Sequence, residues 1–157
     1  MNTMKSRSAS VSWKGSLKDG GGKVSTESGA LRNLSYAFNT RFDNETGTNP
    51  EELISAALAS CFTMAVSAEL QKQHLVADAL EVEATTYLDR SSTGAWFIPE
   101  IFLEVSGIVP GCNKAQFDKA TMNAKMNCPV SQLLNADVTM EAHLMSPPLQ
   151  SLDAGPV

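Results

Sequence analysis

Residues 53–68, the centre of NPEELISAALASCFTMAVSAEL, carry no charged side chain, and this run limits the folds open to the chain more than any other segment. So much apolar surface must be covered. Its leading edge holds helix-start signals: Thr48 or Asn49 can cap, Pro50 suits the first helical position, and Glu51 and Glu52 complement the positive end of the helix dipole. The helix is expected to end near Gln73. Apolar residues fall on nearly every side, including Ile54, Leu58, Phe62 and Val66, as in a helix enclosed by protein. Ala56, Ala57 and Ala59 allow a neighbour to approach closely. Ser55, Ser60, Thr63 and Ser67 interrupt the run, which at 16 residues is short for a membrane span.

Near the middle of this run sits Cys61. By itself a cysteine there reads as a small hydrophobe packed in the core. Cys112 and Cys128 complete a set of three, too few for a disulfide framework and at spacings that match no zinc pattern. Redox chemistry and plain packing remain open for them. His74 and His143 lie far apart with no cysteine motif beside either, so both read as surface or edge residues and no metal site is expected.

With 157 residues, 43% hydrophobic and 18% charged, the chain suits one globular domain over residues 1–146. The net charge of -5 offers no basic surplus for nucleic acid or an anionic membrane. Lys5 and Arg7 are followed by no apolar h-region, so no secretory signal is read and a cytoplasmic location is expected. The segment 147–157, with Pro147, Pro148, Gly155 and Pro156, reads as a mobile tail.

Around Val11 and Trp13, SASVSWKGSL alternates like a half-buried strand, and DGGGK turns the chain into a second strand, KVSTES. The glycines of that turn lack P-loop spacing. YAFNTRF is expected to form a third short strand or an extended loop. After the long helix, DALEVEATTYLDR and WFIPEIFLEVSGI read as antiparallel strands joined by SSTG. A second helix begins at Asn113, with Phe117, Ala120 and Ala124 on one stripe and Lys114, Lys119 and Lys125 on the solvated face. A short helix restarts at Pro129, and DVTMEAHLM closes the chain as a strand. This order argues α+β rather than a doubly wound sheet.

Three segments in order, FNTRF, GTNPEELISAALASCF and NCPVSQLL, resemble the OsmC group of the OsmC/Ohr family, thiol-dependent organic hydroperoxide reductases. The resemblance extends over roughly residues 11–144; Cys112 lies outside the family motifs and reads as incidental. It implies antiparallel sheets around a long buried central helix, in an intertwined homodimer. It further implies Cys61 as the peroxidatic thiolate, Cys128 as the resolving cysteine, and Arg41 and Glu51 as polar partners of the reactive sulfur. Without it, Glu51 is simply a charge at a helix start and Arg41 a surface arginine beside Asp43.

Elementary chemistry is consistent with those roles. Cysteine attacks as thiolate, burial opposes the thiolate, and a permanently charged guanidinium held by Glu51 would offset that opposition. An apolar wall containing Ile54, Leu58, Phe62 and Met64 suits the hydrocarbon body of an organic peroxide. The implied cycle passes through a Cys61 sulfenic acid and a Cys61–Cys128 disulfide, reopened by an external dithiol of lipoyl type, with no bound cofactor or metal. The function expected is reduction of organic hydroperoxides, and of hydrogen peroxide more weakly, in oxidative and osmotic stress defence. The rival reading is a non-catalytic apolar-ligand binder or redox sensor on the same fold. Glu51 and Cys61 stand ten residues apart on one helix, roughly 15 Å of rise. A two-fold mate is therefore expected to supply Glu51, and with it Arg41, to Cys61.

Overall fold

The computed structural model describes residues 4–43 and 45–147, so nearly all of the expected tail lies outside the described residues. The chain forms two compact units, one reaching to Ile54 and one beginning at Ser55. The long helix passes from the first into the second.

In the first unit, β1 (Ala9–Lys14), β2 (Gly21–Thr26) and β3 (Leu34–Tyr36) form an antiparallel sheet in that order. The β1–β2 turn is closed by Gly20, whose N–H donates to the Ser16 carbonyl at 2.9 Å. A Cβ on Gly20 would lie 2.3 Å from that carbonyl oxygen, which explains the glycine. The next two glycines belong to β2 rather than to the turn. Gly22 leaves room for the Tyr36 ring, which packs against Trp13 with centroids 5.4 Å apart. β1 departs from the half-buried strand expected of its alternation, because this edge strand is exposed along its whole length, with Val11 59% exposed.

FNTRF also departs from expectation. Tyr36 ends β3, but Phe38–Phe42 form a helical turn, α1. Thr40 makes the turn: its hydroxyl oxygen accepts from the Ala37 N–H at 2.9 Å and its O–H reaches the Thr48 carbonyl at 2.8 Å. The rings of Phe38 and Phe42, one turn apart, approach to 4.6 Å. Asn49 then caps α2 (Pro50–Lys72), its Oδ1 accepting from the Glu52 N–H at 2.9 Å while its Nδ2 donates to the Thr40 carbonyl.

The second unit has β4 (Ala79–Arg90) antiparallel to β5 (Trp96–Ile108), and β5 parallel to β6 (Asp137–Leu144). The register stacks Val82, Val105 and Ala142 in one row and Ala84, Leu103 and Met140 in the next, the inward faces of three alternating strands. From α2, Leu58, Phe62, Val66 and Leu70 form a fully buried stripe at four-residue spacing. α3 (Lys114–Asn127) is capped by Asn113, whose side chain accepts from the Gln116 N–H, and buries Phe117, Ala120, Thr121 and Ala124. The Phe117 ring lies over Gly107 of β5, where a Cβ would come within 2.7 Å of it. Ser55 shares a 2.7 Å hydrogen bond with Thr86 of β4, and Gln73 donates to the Gln116 carbonyl, so α2 is tied to sheet and helix alike.

Two features of α2 differ from the sequence reading. With 23 residues and a mean hydropathy of 1.6 over its most apolar window, it is long and apolar enough to cross a membrane. Its buried stripe is nevertheless part of the protein core. Nor is it enclosed on all sides: the opposite face is exposed, with Met64 75% accessible. The helix stops where His74 adopts a left-handed φ of 58° and Leu75 donates back to the Leu70 carbonyl.

Candidate active site

The four expected residues fall into two pairs, one in each unit. Arg41 ends α1 and Glu51 begins α2, and the two meet through a forked contact: Nε reaches both carboxylate oxygens, at 2.9 and 3.1 Å, and Nη2 reaches Oε1 at 2.5 Å. Such a two-pronged contact fixes the plane of the guanidinium, which an ammonium could not reproduce. Arg41 also lies over the Phe42 ring, 5.4 Å from its centroid. Glu51 is nearly buried and Arg41 about one-third exposed, so the cation retains an accessible side.

Cys61 comes from the middle of α2, next to the buried Phe62 and half-buried itself. Cys128 is fully buried at the corner where α3 ends and α4 (Pro129–Leu133) begins. The corner follows from proline, which disfavours helical backbone in the residue before it; Cys128 is extended at φ -64°, ψ 120°. It closes α3 by donating its N–H to the Ala124 carbonyl and opens α4 by accepting at its own carbonyl from Gln132.

Each thiol acts on the protonation of the other, so the two lie near one another, and both are free. Burial pushes the Cys61 thiol up, as do its donation to Cys128 and repulsion between the two sulfurs; the Val130 N–H opposes them in part. Burial pushes Cys128 up too, but the Ser131 N–H, the Cys61 thiol, the Ser131 hydroxyl and the Val130 N–H reverse it, and the net direction is down. Such a pair exchanges one proton between two nucleophiles and can close to a disulfide.

Cys112 donates weakly to the Asn113 carbonyl at 3.3 Å, and burial pushes its thiol up. His74 and His143 are exposed. Ser131 and the amides of Val130 and Ser131 went unremarked in the sequence. The signal was present, since a residue three positions past a helix cap directs its N–H back toward the cap side chain.

Two free thiols near one another on an α+β frame suit a thiol-redox protein. The family model described as OsmC-like protein matches residues 42–143, and the chain belongs to that family. Peroxiredoxin OsmC of Escherichia coli K12 is 45% identical over 134 residues, which cover 85% of this chain and 93% of that one. The organic hydroperoxide resistance protein of Xanthomonas axonopodis pv. citri is 35% identical over 99 residues, 60% of this chain and 66% of that one. Among solved structures, the organic hydroperoxide resistance protein OhrB of Bacillus subtilis superposes with a TM-score of 0.67, covering 88% of this chain and 98% of its own, at 24% identity. That likeness bears on the fold, which is the OsmC/Ohr fold.

Proposed function

We propose that this protein is a peroxidase of the peroxiredoxin type. It reduces organic hydroperoxides to alcohols, and hydrogen peroxide more weakly, with electrons from an external dithiol of lipoyl type. The observation that carries the reading is the pair of free thiols, Cys61 and Cys128, brought near one another inside one unit. The names of the two curated relatives, a peroxiredoxin and an organic hydroperoxide resistance protein, support the substrate class.

In the cycle, the Cys61 thiolate attacks the terminal peroxide oxygen, forming an S–O bond as the O–O bond breaks. The departing alkoxide takes a proton, which the Cys128 thiol can supply, and Cys61 becomes a sulfenic acid. The Cys128 thiolate then attacks the Cys61 sulfur, forms the disulfide and expels hydroxide, which solvent protonates. A dithiol reopens the bridge in two exchange steps and leaves as its own disulfide. Because burial opposes the Cys61 thiolate, Cys61 needs a cation for the first step, and we assign that task to Arg41 oriented by Glu51.

A two-fold partner would bring Arg41 and Glu51 of one copy to Cys61 of the other, since Glu51 and Cys61 are separated by roughly 15 Å along α2. The apolar yet exposed face of α2 and the open strand β1 support a second copy as their cover. We place the enzyme in the cytoplasm, where reduced thiols persist.

The test is steady-state consumption of several peroxides with dithiol and with monothiol. Catalytic loss of an organic hydroperoxide that depends on dithiol is the expected result. A single stoichiometric oxidation without turnover would instead favour a redox sensor or ligand binder. Mixing Cys61→Ser with Arg41→Ala subunits restores activity if the arginine crosses between copies. No recovery despite verified exchange would place both groups in one chain.

A further inference from the structure

Ser131 carries a buried polar group that the cycle above does not use. Its Oγ is sealed from solvent and has no hydrogen-bond partner of ordinary geometry. An unpaired buried hydroxyl is destabilising, so its position calls for a partner in another state of the protein. Cys128, three residues earlier and fully buried, is the residue that α4 starts from, and Ser131 occupies the third position of that helix. Positions three apart at the start of a helix lie on the same side of it. A neutral thiol is a poor acceptor, whereas a thiolate is a strong one, so a bond from this hydroxyl to Cys128 would form or strengthen when Cys128 loses its proton.

We propose that Ser131 is a positioning residue of the thiol pair: its buried hydroxyl donates to the Cys128 sulfur in the thiolate form and holds it aimed at Cys61. The direction of the Cys128 shift agrees, the Ser131 hydroxyl being one of its causes. Among the described residues, the titratable group acting on Cys128 is the Cys61 thiol of α2; the remaining influences are the amides and hydroxyl of α4. The consequence is kinetic. When Cys128 has given its proton to the departing alkoxide, Ser131 keeps the sulfur charged and oriented for attack on oxidised Cys61. This inference rests on the two-cysteine cycle and adds a residue to it.

Two measurements test it. In a Cys61→Ser, Cys112→Ser background Cys128 is the lone thiol, and its thiolate absorbance in the ultraviolet is followed against pH. Ser131→Ala is expected to lower the thiolate fraction below the midpoint about tenfold, the worth of one charge-assisted hydrogen bond, while Ser131→Thr retains it. An unmoved midpoint in the alanine variant overturns the proposal. In the second arm, with only Cys112 replaced, one equivalent of organic hydroperoxide is added and mass spectrometry follows Cys61. Ser131→Ala is expected to form the disulfide about tenfold more slowly, with the sulfenic acid accumulating, and Ser131→Thr to behave like the parent. Equal rates of disulfide formation overturn the positioning role. If Cys61 is not oxidised at all, the peroxidase reading fails, while the absorbance arm still decides on Ser131.

Discussion

Asn123 of α3 donates to one carboxylate oxygen of Glu69 on α2 at 3.2 Å, and Lys72 donates to the other. Lys72 foremost, with Asn123, holds the Glu69 carboxyl below the usual carboxylate range against the effect of burial. A carboxyl depressed by folding contributes stability above its unfolded pKa and loses it as pH falls through the folded value. Urea unfolding at a series of pH values is therefore expected to show wild type losing more stability than Glu69→Gln between neutral and acid conditions. Parallel curves for the two proteins would remove Glu69 from the acid response.

The forked contact of Arg41 with Glu51 makes a second prediction. Arg41→Lys keeps the charge and loses the fixed plane, and kcat/KM for an organic hydroperoxide is expected to fall roughly a hundredfold, the scale of one lost electrostatic contact to a reacting group. Near-native activity in the lysine variant would mean that charge alone suffices.

Cys61→Ser is expected to abolish turnover without disturbing the fold, since serine is nearly isosteric and a poor nucleophile at neutral pH. Cys128→Ser is expected to stop after the first oxidation, leaving one added oxygen on Cys61 by mass spectrometry, or more if over-oxidised. Cys112→Ser is expected to be neutral in both assays.

The two faces of α2 are expected to separate stability from assembly. Phe62→Ala, at a fully buried position, is expected to cost about 3–5 kcal/mol in urea unfolding. Met64→Lys, two residues away and 75% exposed in the single chain, is expected to change the stability of that chain by less than about 0.5 kcal/mol. In light scattering the same lysine is expected to shift the protein toward monomer. A persistent dimer with Lys at 64 would exclude this face from the interface.

Much of the architecture was legible in residue pattern. Pro50 with Glu51 and Glu52 marked the start of α2, and two long strand-like runs joined by the polar turn SSTG marked β4 and β5 as an antiparallel pair. The direction of β6 was not legible, because alternation is the same for a parallel and an antiparallel neighbour. The helical turn at Phe38–Phe42 escaped as well: it depends on Thr40 reaching the Thr48 carbonyl, a contact that local propensity does not contain. Periodicity likewise could not tell an apolar face covered by its own chain from one left open, as Leu58 and Met64 show. For the site, the segments around Cys61 and Cys128 pointed to both thiols, but not to the groups that lower the Cys128 thiol: the Ser131 and Val130 amides, the Cys61 thiol and the Ser131 hydroxyl are brought to it only by folding.

Because Cys128 is the corner between two helices, a bond from it to Cys61 would be more than a redox event. It would close a covalent ring of more than sixty residues containing β4, β5 and α3, with β6 left outside. On chain-entropy grounds such a ring restricts the unfolded state by about 4 kcal/mol. Each catalytic turn would then alternate the protein between a loosely and a tightly tethered chain, and the unfolding temperature would serve as a gauge of the electron balance of its surroundings.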